Sequence, residues 1–294
     1  MSSESAFIES LRALATHPSA RGLNDDVAIL KVGGETLILT HDTMVEEVHF
    51  LANQDMADIA WKLVATNLSD LAAKGAKPLG VLLSYTLGAD DARFVAGLKD
   101  VLEFYSVILL GGDTVSGSGA RTFGMTAIGT ATHTPIPSRN GAKPDDRLFI
   151  TGPVGAAMIG FETLRDRGAT LGAAETAAFC RPIPLLAEGQ ALAPVVTAIM
   201  DVSDGLLLDC SRLAKASGVT IDVDTASVPI AAPDCRRDDA IRWGDDYQLL
   251  FTANQNTKLP VPAHAIGTVS TLGGSSLLID GKPPKDGDTL GYSH

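Results

Sequence analysis

The sequence predicts an α/β protein of two domains, and three observations carry that reading. Its 294 residues exceed the usual size of a single hydrophobic core. Helical and strand-like apolar periodicities alternate along the chain. A turn-rich stretch, Thr134-Pro135-Ile136-Pro137-Ser138-Arg139-Asn140-Gly141, interrupts that alternation near the middle and divides the chain into 1–140 and 141–294. With 45% hydrophobic residues there is enough apolar material for two cores, which excludes a disordered or fibrous chain.

The first half opens with two β-prone runs, Val27 to Val32 and Thr36 to Thr40, separated by Gly33-Gly34, a hairpin signature that puts Asp42 just past a strand end. Asp55 then caps a helix whose apolar positions Met56, Ile59, Ala60, Leu63, Val64, Leu68 and Leu71 keep the 3.6-residue period, with Gly75 as its stop. A second helix is marked by Phe94, Val95, Leu98, Val101, Leu102 and Tyr105. It leads into an apolar strand, Val107 to Leu110, that ends at Gly111-Gly112-Asp113, and a further strand covers Met125 to Ala131.

The second half begins with a strand at Arg147 to Thr151 and a helix from Gly155 to Arg167 that stops at Gly168. Arg181-Pro182-Ile183-Pro184 then breaks any regular helix. Ser203 is read as the cap of a helix through Leu206, Leu207, Cys210, Leu213 and Ala214 that ends at Gly218. Strands at Thr220 to Val223, Gln248 to Thr252 and Ala265 to Val269 follow, and Asp280-Gly281 makes a hairpin turn.

A formal charge of −12 argues against nucleic acid as a partner, since that binding rests on Lys and Arg neutralising phosphates. Any phosphate ligand should therefore arrive with metal. Cys180, Cys210 and Cys235 are odd in number and widely spaced, giving neither a disulfide framework nor a zinc site, which fits a reducing cytoplasm. The N-terminal residues lack the pattern of a signal peptide, and no apolar run reaches the ~18 residues of a membrane span. A soluble, cytoplasmic protein is expected.

Short aspartate-centred motifs punctuate the chain. Asn67 and Asp70 project from the edge of the first helix's apolar stripe, where an ionised carboxylate needs a cation, a hydrogen-bond network or a raised pKa, unless that edge is wet or Asp70 pairs with a basic side chain. Taken alone, Gly112-Asp113 reads as a turn at a strand end and Ser203-Asp204-Gly205 as a helix cap, although a helix N-terminus also presents free N–H groups to phosphate. His49 is a lone loop histidine, and Arg139 offers a planar fork suited to phosphate or an ordinary surface arginine. Neither G-x-x-x-x-G-K-[ST] nor G-x-G-x-x-G after a strand occurs, which argues against P-loop and Rossmann nucleotide binding.

Taken in order, Asn24-Asp25-Asp26-Val27-Ala28, Asp42 to Phe50, Asn67 to Ala76, Gly111-Gly112-Asp113-Thr114, Arg139 to Asp146, Asp201-Val202-Ser203-Asp204-Gly205-Leu206 and Gly244 to Phe251 resemble thiamine-monophosphate kinases over nearly the whole chain. That family sits in a superfamily with aminoimidazole ribonucleotide synthetase and selenophosphate synthetase. The resemblance implies the two-domain aminoimidazole ribonucleotide synthetase-like fold: a metal- and nucleotide-binding domain at 1–140 whose sheet forms a homodimer, and a C-terminal α/β domain at 141–294. It further implies transfer of the ATP γ-phosphate to thiamine monophosphate through several Mg²⁺ ions. Asp26, Thr40, His41, Asp42, Asp70, Asp113, Asp201 and Asp204 would hold the metal, with Asp42, Asp70 and Asp113 acting catalytically through it. Gly112, Asp113, Arg139 and Ser203 would meet ATP, and His49, Asp245 and Thr289 the substrate.

Three positions depart from the family pattern. His41 replaces a hydroxyl residue and leaves only its carbonyl for metal. Asp245 is one methylene shorter than the family's Glu. Thr289 stands near the place of an aromatic that stacks on thiamine in the family, so that partner is missing here unless Tyr292 serves. The alternatives are another ATP-dependent enzyme of the superfamily with a different substrate, or a noncatalytic nucleotide-binding relative. No Cys precedes Cys180 and the chain ends Gly291-Tyr292-Ser293-His294, which disfavours selenophosphate synthetase and the hydrogenase-maturation relatives respectively. Clustered carboxylates would be costly to keep close without metal, which disfavours the noncatalytic reading.

Overall fold

Ala28–Val32 (β1) and Glu35–Val45 (β2) pair antiparallel, Val32 opposite Glu35, across the Gly33-Gly34 turn. Gly33 takes a φ of +61°, which suits glycine. The computed structural model describes residues 3–167 and 173–293, so the expected stop at Gly168 lies outside the described residues. Helix α1 (Ser3–Arg12) and a six-residue 3₁₀ segment precede the hairpin. Strand β2 runs on to Val45, so Asp42 lies inside the strand and not past its end.

Three more strands complete the first sheet: Ala76–Thr86 (β3), Ile108–Val115 (β4) and Thr122–Ala131 (β5), in the order β1-β2-β5-β3-β4. β3 escaped the sequence reading because Pro78 and Gly80 obscure its alternation, and the register does shift between them. β4 does not end at Gly111 but continues through Gly112 and Asp113 as an exposed edge strand paired to β3 alone.

One face of this sheet is covered by α2 (Met56–Ala73) and α3 (Asp91–Tyr105), the two helices that periodicity predicts. Asp55 caps α2 by accepting from the Ala57 N–H at 2.9 Å, and Gly75 follows its end with a φ of +60°. Ile59, Leu63, Val64, Leu68 and Leu71 of α2 pack with Ile38, Phe94, Phe123 and Met125, each contributing about 1.5–3 kcal/mol when fully buried.

The second sheet, in the order β11-β8-β10-β6-β9-β7, is built from Asp146–Ile150 (β6), Ala198–Asp201 (β7), Val219–Val223 (β8), Leu249–Asn254 (β9), His264–Thr271 (β10) and Leu277–Ile279 (β11). Its helices are α4 (Ala156–Arg167), α5 (Ala173–Cys180), α6 (Leu186–Leu192), α7 (Leu206–Ser217) and the short α8 (Arg237–Ala240). The Arg181-to-Pro184 break separates α5 from α6. The Asp280-Gly281 turn forms, but only an isolated bridge, Ile279 to Lys282, closes it, and β11 pairs parallel to β8. Ser203 is not the cap of α7: Gly205 precedes the helix without a side-chain bond, and Asp209 inside it reaches back to the Asp204 N–H at 3.1 Å.

A third apolar cluster joins the two halves. Ala72 and Ala73 at the end of α2 pack with Leu192, Ile199, Leu249 and Phe251. Helix α2 thereby lies at the seam, with nearly all of its residues buried. On its other side α3 comes close enough that a Cβ added at Gly97 would stand 2.3 Å from the Ala57 Cα. We therefore expect Gly97→Val to cost about 1–3 kcal/mol through forced separation of these helices. A thermal-unfolding midpoint equal to that of the parent chain would contradict the contact.

Candidate active site

Three carboxylates converge at the seam from distant parts of the sequence. Asp26 precedes β1, Asp70 lies in the last turns of α2, and Asp201 closes β7; one oxygen of each lies within 4.8 Å of the others. Asp70 is 8% exposed and Asp201 3%, so the wet helix edge allowed by the sequence is not realised.

Polar side chains on neighbouring elements orient this cluster. Thr40, buried on the α2-facing side of β2, hydrogen-bonds Asp70 Oδ2 and donates to the Asp26 carbonyl at 3.1 Å. Ser69 donates to Asp201 Oδ2 at 2.5 Å. Asn67 accepts the Asp42 N–H at 3.1 Å while its own amide donates to the Leu63 carbonyl, which fixes the strand against the helix at Asp42. Strand alternation puts Thr40 and Asp42 on one face.

The electrostatics match the crowding. Burial, reinforced by the charges of Asp201 and Asp204, pushes Asp42 up to about 7. Burial also lifts Asp70 well above the carboxylate range, with Asp42 and Asp201 adding to it and the Thr40 bond and Lys74 opposing. Asp201 is raised by burial against the pull of Ser69, Lys74 and Arg139.

Basic groups close part of the deficit. Lys74 Nζ lies 2.6 Å from Asp25 Oδ1 and 3.6 Å from Asp26 Oδ2, and Arg21 also pairs with Asp25. Arg139 pairs with Asp26 Oδ1, so it belongs to the site and not to the ordinary surface. Among the described residues, Asp26 Oδ2 and Arg139 Nε are buried without a hydrogen-bond partner. Buried polar atoms are rarely left so. Arg212 pairs with both Asp204 and Asp209, and the buried Asp209 is pushed up to about 7 by burial despite that guanidinium.

Other predicted residues stand apart from this cluster. The side chain of His41 faces the opposite side of β2, where its ring nitrogens meet Thr126 and Thr43. Gly112 lies in the row Asp42, Met125, Leu83, Gly112, three strands from Asp42, or about 14 Å at usual strand spacing. A Cβ at Gly112 would stand 1.9 Å from the Leu83 carbonyl oxygen, so only glycine fits. Asp113 falls in the next row and on the opposite face, so within one chain it does not join the other aspartates.

On the substrate side, His49 follows β2 and accepts the Val45 N–H on Nδ1 at 3.0 Å, which puts the proton of a neutral ring on Nε2. Asp245 is held between Lys62 Nζ at 2.8 Å and the Tyr247 hydroxyl at 2.8 Å. Ser203 presents its carbonyl to the Asp245 N–H at 2.8 Å. Thr289 is exposed, with its carbonyl bound to Arg242, whereas the Tyr292 N–H donates to the Asp204 carbonyl at 2.8 Å. Of the two, Tyr292 is the one tied to the site.

Lys62, Lys74, Asp209 and Arg212 were missed by sequence reasoning. The available signal was a lysine interrupting or ending the buried stripe of α2, and an Arg three residues after an Asp on the inner face of α7.

The two halves match separate family models, the AIR synthase related protein N-terminal domain over residues 24–131 and the corresponding C-terminal domain over 143–269. Thiamine-monophosphate kinase of Salmonella typhimurium is 35% identical across 93% of this chain and 91% of its own length. A solved structure of AaThiL complexed with AMPPCP and TMP superposes with a TM-score of 0.84 at 27% identity, covering 95% of this chain and 94% of that one. Thiamine monophosphate kinase from Aquifex aeolicus gives 0.80 at 28%, over 96% and 99%. With the AIR synthase-like two-domain fold and this similarity along almost its whole length, the chain belongs to the thiamine-monophosphate kinase family.

Proposed function

We infer that this chain is a kinase that transfers the γ-phosphoryl group of ATP to thiamine monophosphate, giving thiamine diphosphate and ADP. The observation that carries this reading is the buried aspartate cluster at the domain seam, in a chain whose relatives of similar length are thiamine-monophosphate kinases. The AMPPCP and TMP of the similar solved structure support the same pair of substrates.

The donor set fits Mg²⁺: Asp26, Asp70 and Asp201 offer hard carboxylate oxygens, Asp26 Oδ2 has no hydrogen-bond partner, and the charges of Asp201 and Asp204 lie near enough to Asp42 to help raise it. When bound, such ions neutralise the two phosphates and act as Lewis acids toward them. Arg139 and Ser203 are assigned to ATP, with Gly112 admitting close backbone approach. His49 and Asp245 are assigned to thiamine monophosphate, and Tyr292 takes the aromatic position that Thr289 does not fill. The acceptor's own phosphate is the nucleophile. Its second pKa is ~6, so no strong protein base is needed as its oxygen bonds to the γ-phosphorus and the bond to ADP breaks.

We place the domain boundary near residue 140, in keeping with the span between β5 and β6. A homodimer joined along β4 is supported by that strand's exposed Ile108, Leu109 and Leu110, and the Asp113 role is retained only as one supplied across that pairing. Among the described residues no helix is long and apolar enough to cross a membrane, and the cysteines are free, which supports a cytoplasmic setting.

Purified protein given ATP, Mg²⁺ and thiamine monophosphate should yield equal amounts of thiamine diphosphate and ADP; ADP formation indifferent to the acceptor would refute the assignment. Asp70→Asn should lower turnover by about 10²-fold or more while leaving the chain folded, and an unchanged rate would remove Asp70 from the metal site.

Stability should also depend on pH in a defined direction. Asp42, Asp70 and Asp201 hold protons more tightly folded than unfolded, so stability of the metal-free chain falls as pH rises from 3.8 through about 7. Adding Mg²⁺ should flatten that fall. Parallel melting profiles with chelator and with Mg²⁺ would count against the metal reading. Leu110→Glu should shift the protein toward monomer in sedimentation, and an unchanged mass would reject the β4 interface.

A further inference from the structure

Lys62 is a charged side chain in the middle of a buried helix, with only 2% of its side chain exposed. Removing an ammonium from water is costly unless specific partners replace it. Its three partners come from three separate segments. Nζ lies 2.8 Å from Asp245 Oδ2 in the loop before β9, donates to the His49 carbonyl at 3.2 Å in the loop after β2, and sits 3.7 Å from the centre of the Phe179 ring on α5. The first and second of these residues are among those assigned to thiamine monophosphate.

The Asp245 loop needs holding from outside. Asp245 and Tyr247 have φ values of +64° and +50°, uncommon for side chains of this kind. The loop's main chain is pinned to Ser203 and Val202 at 2.8 and 2.9 Å, and a Cβ on Gly244 would stand 2.1 Å from the Ser203 carbonyl oxygen. Those contacts fix the backbone but not the carboxylate. Lys62 takes one carboxylate oxygen and the Tyr247 hydroxyl the other, which leaves Asp245 a single orientation. Likewise the Val45 N–H orients the His49 ring while Lys62 holds the His49 main chain. One ammonium on the first domain thus sets the separation of two acceptor-side groups on opposite sides of the seam.

We propose that Lys62 is a positioning residue for the phosphate acceptor, fixing Asp245 against the His49 loop while taking no part in the phosphoryl transfer itself. This rests on the kinase reading above and on His49 and Asp245 facing thiamine monophosphate. ATP is assigned to other groups, Gly112, Arg139 and Ser203, so the two substrates should respond differently to a change at Lys62.

The test is steady-state kinetics of Lys62→Met, Lys62→Arg and Asp245→Asn, with Mg²⁺ present and each substrate varied separately. Loss of a charge-assisted hydrogen bond predicts a KM for thiamine monophosphate raised about tenfold or more in Lys62→Met. The KM for ATP should move less than about twofold. Lys62→Arg, which keeps the charge, should fall between the parent and Lys62→Met. In an Asp245→Asn background the Lys62→Met effect should largely vanish, because the two act as one unit. Lys62→Gln replaces Lys62→Met in every comparison if the latter does not fold. Equal rises in both KM values, no rise at all, or full additivity with Asp245→Asn would overturn the proposal and leave the kinase reading standing. A parent protein that makes no thiamine diphosphate would instead refute the kinase reading, and with it the acceptor on which Lys62 is argued to act.

Discussion

Like charges buried together are the constraint around which this molecule is arranged. Two unit charges no more than 4.8 Å apart repel by about 3.5 kcal/mol or more at an effective dielectric near 20. Asp26, Asp70 and Asp201 make three such pairs, and Asp42 and Asp204 add their fields. Lys74 and Arg139 offset part of this, yet each is shared: Lys74 is closer to Asp25 than to Asp26, and Arg139 touches only one oxygen of Asp26. A chain that kept such a cluster with no cation to fill it would carry a stability cost with no return.

Helix α2 is the element that makes the arrangement possible. Its apolar residues insert into the first core and its last turn into the cluster shared with the second domain. Between them a line of polar side chains faces the seam, and each has a particular partner. Lys62 meets Asp245, Asn67 the Asp42 main chain, Ser69 Asp201, Asp70 Thr40, and the capping Lys74 Asp25 and the Ile199 carbonyl. The bonds of Lys62, Ser69 and Lys74 to Asp245, Asp201 and the Ile199 carbonyl tie the helix to the second domain. Gly189 of α6 lets this contact form, since a Cβ there would stand 1.9 Å from the Ala72 carbonyl oxygen.

Much of this was legible in the sequence, where local chemistry decides the outcome. The β1–β2 hairpin, the capped α2 and its glycine stop, and α3 follow from turn residues and periodicity alone. Strand β3 did not, because a proline and a glycine mask its alternation, and β4 was cut short because Gly-Gly-Asp normally ends a strand, whereas here it runs along an edge. Asp70 was conspicuous as a carboxylate on an apolar stripe. Lys62 was not, since its meaning depends on Asp245, which the fold brings across the domain seam. Sequence spacing conveys which side chains share a helix face; it carries no information on what a second domain lays against that face.

The three departures from the family pattern become intelligible in the same terms. His41 lies on the strand face turned away from Thr40 and Asp42, so exchanging its side chain leaves the inner face unchanged and keeps the main chain in register. At Asp245 a shorter acid is gripped at both oxygens by Lys62 and Tyr247, which limits how far the missing methylene can move the charge. Thr289 contributes a main-chain carbonyl to Arg242, and the segment then continues to Tyr292, anchored by its N–H to the Asp204 carbonyl. At His41 and Thr289 the main chain makes the contact, whereas at Asp245 the residue's own carboxylate makes it. A side-chain change at His41 or Thr289 thus leaves the main-chain contact in place, while a change at Asp26, Asp70 or Asp201 removes an oxygen of the cluster itself.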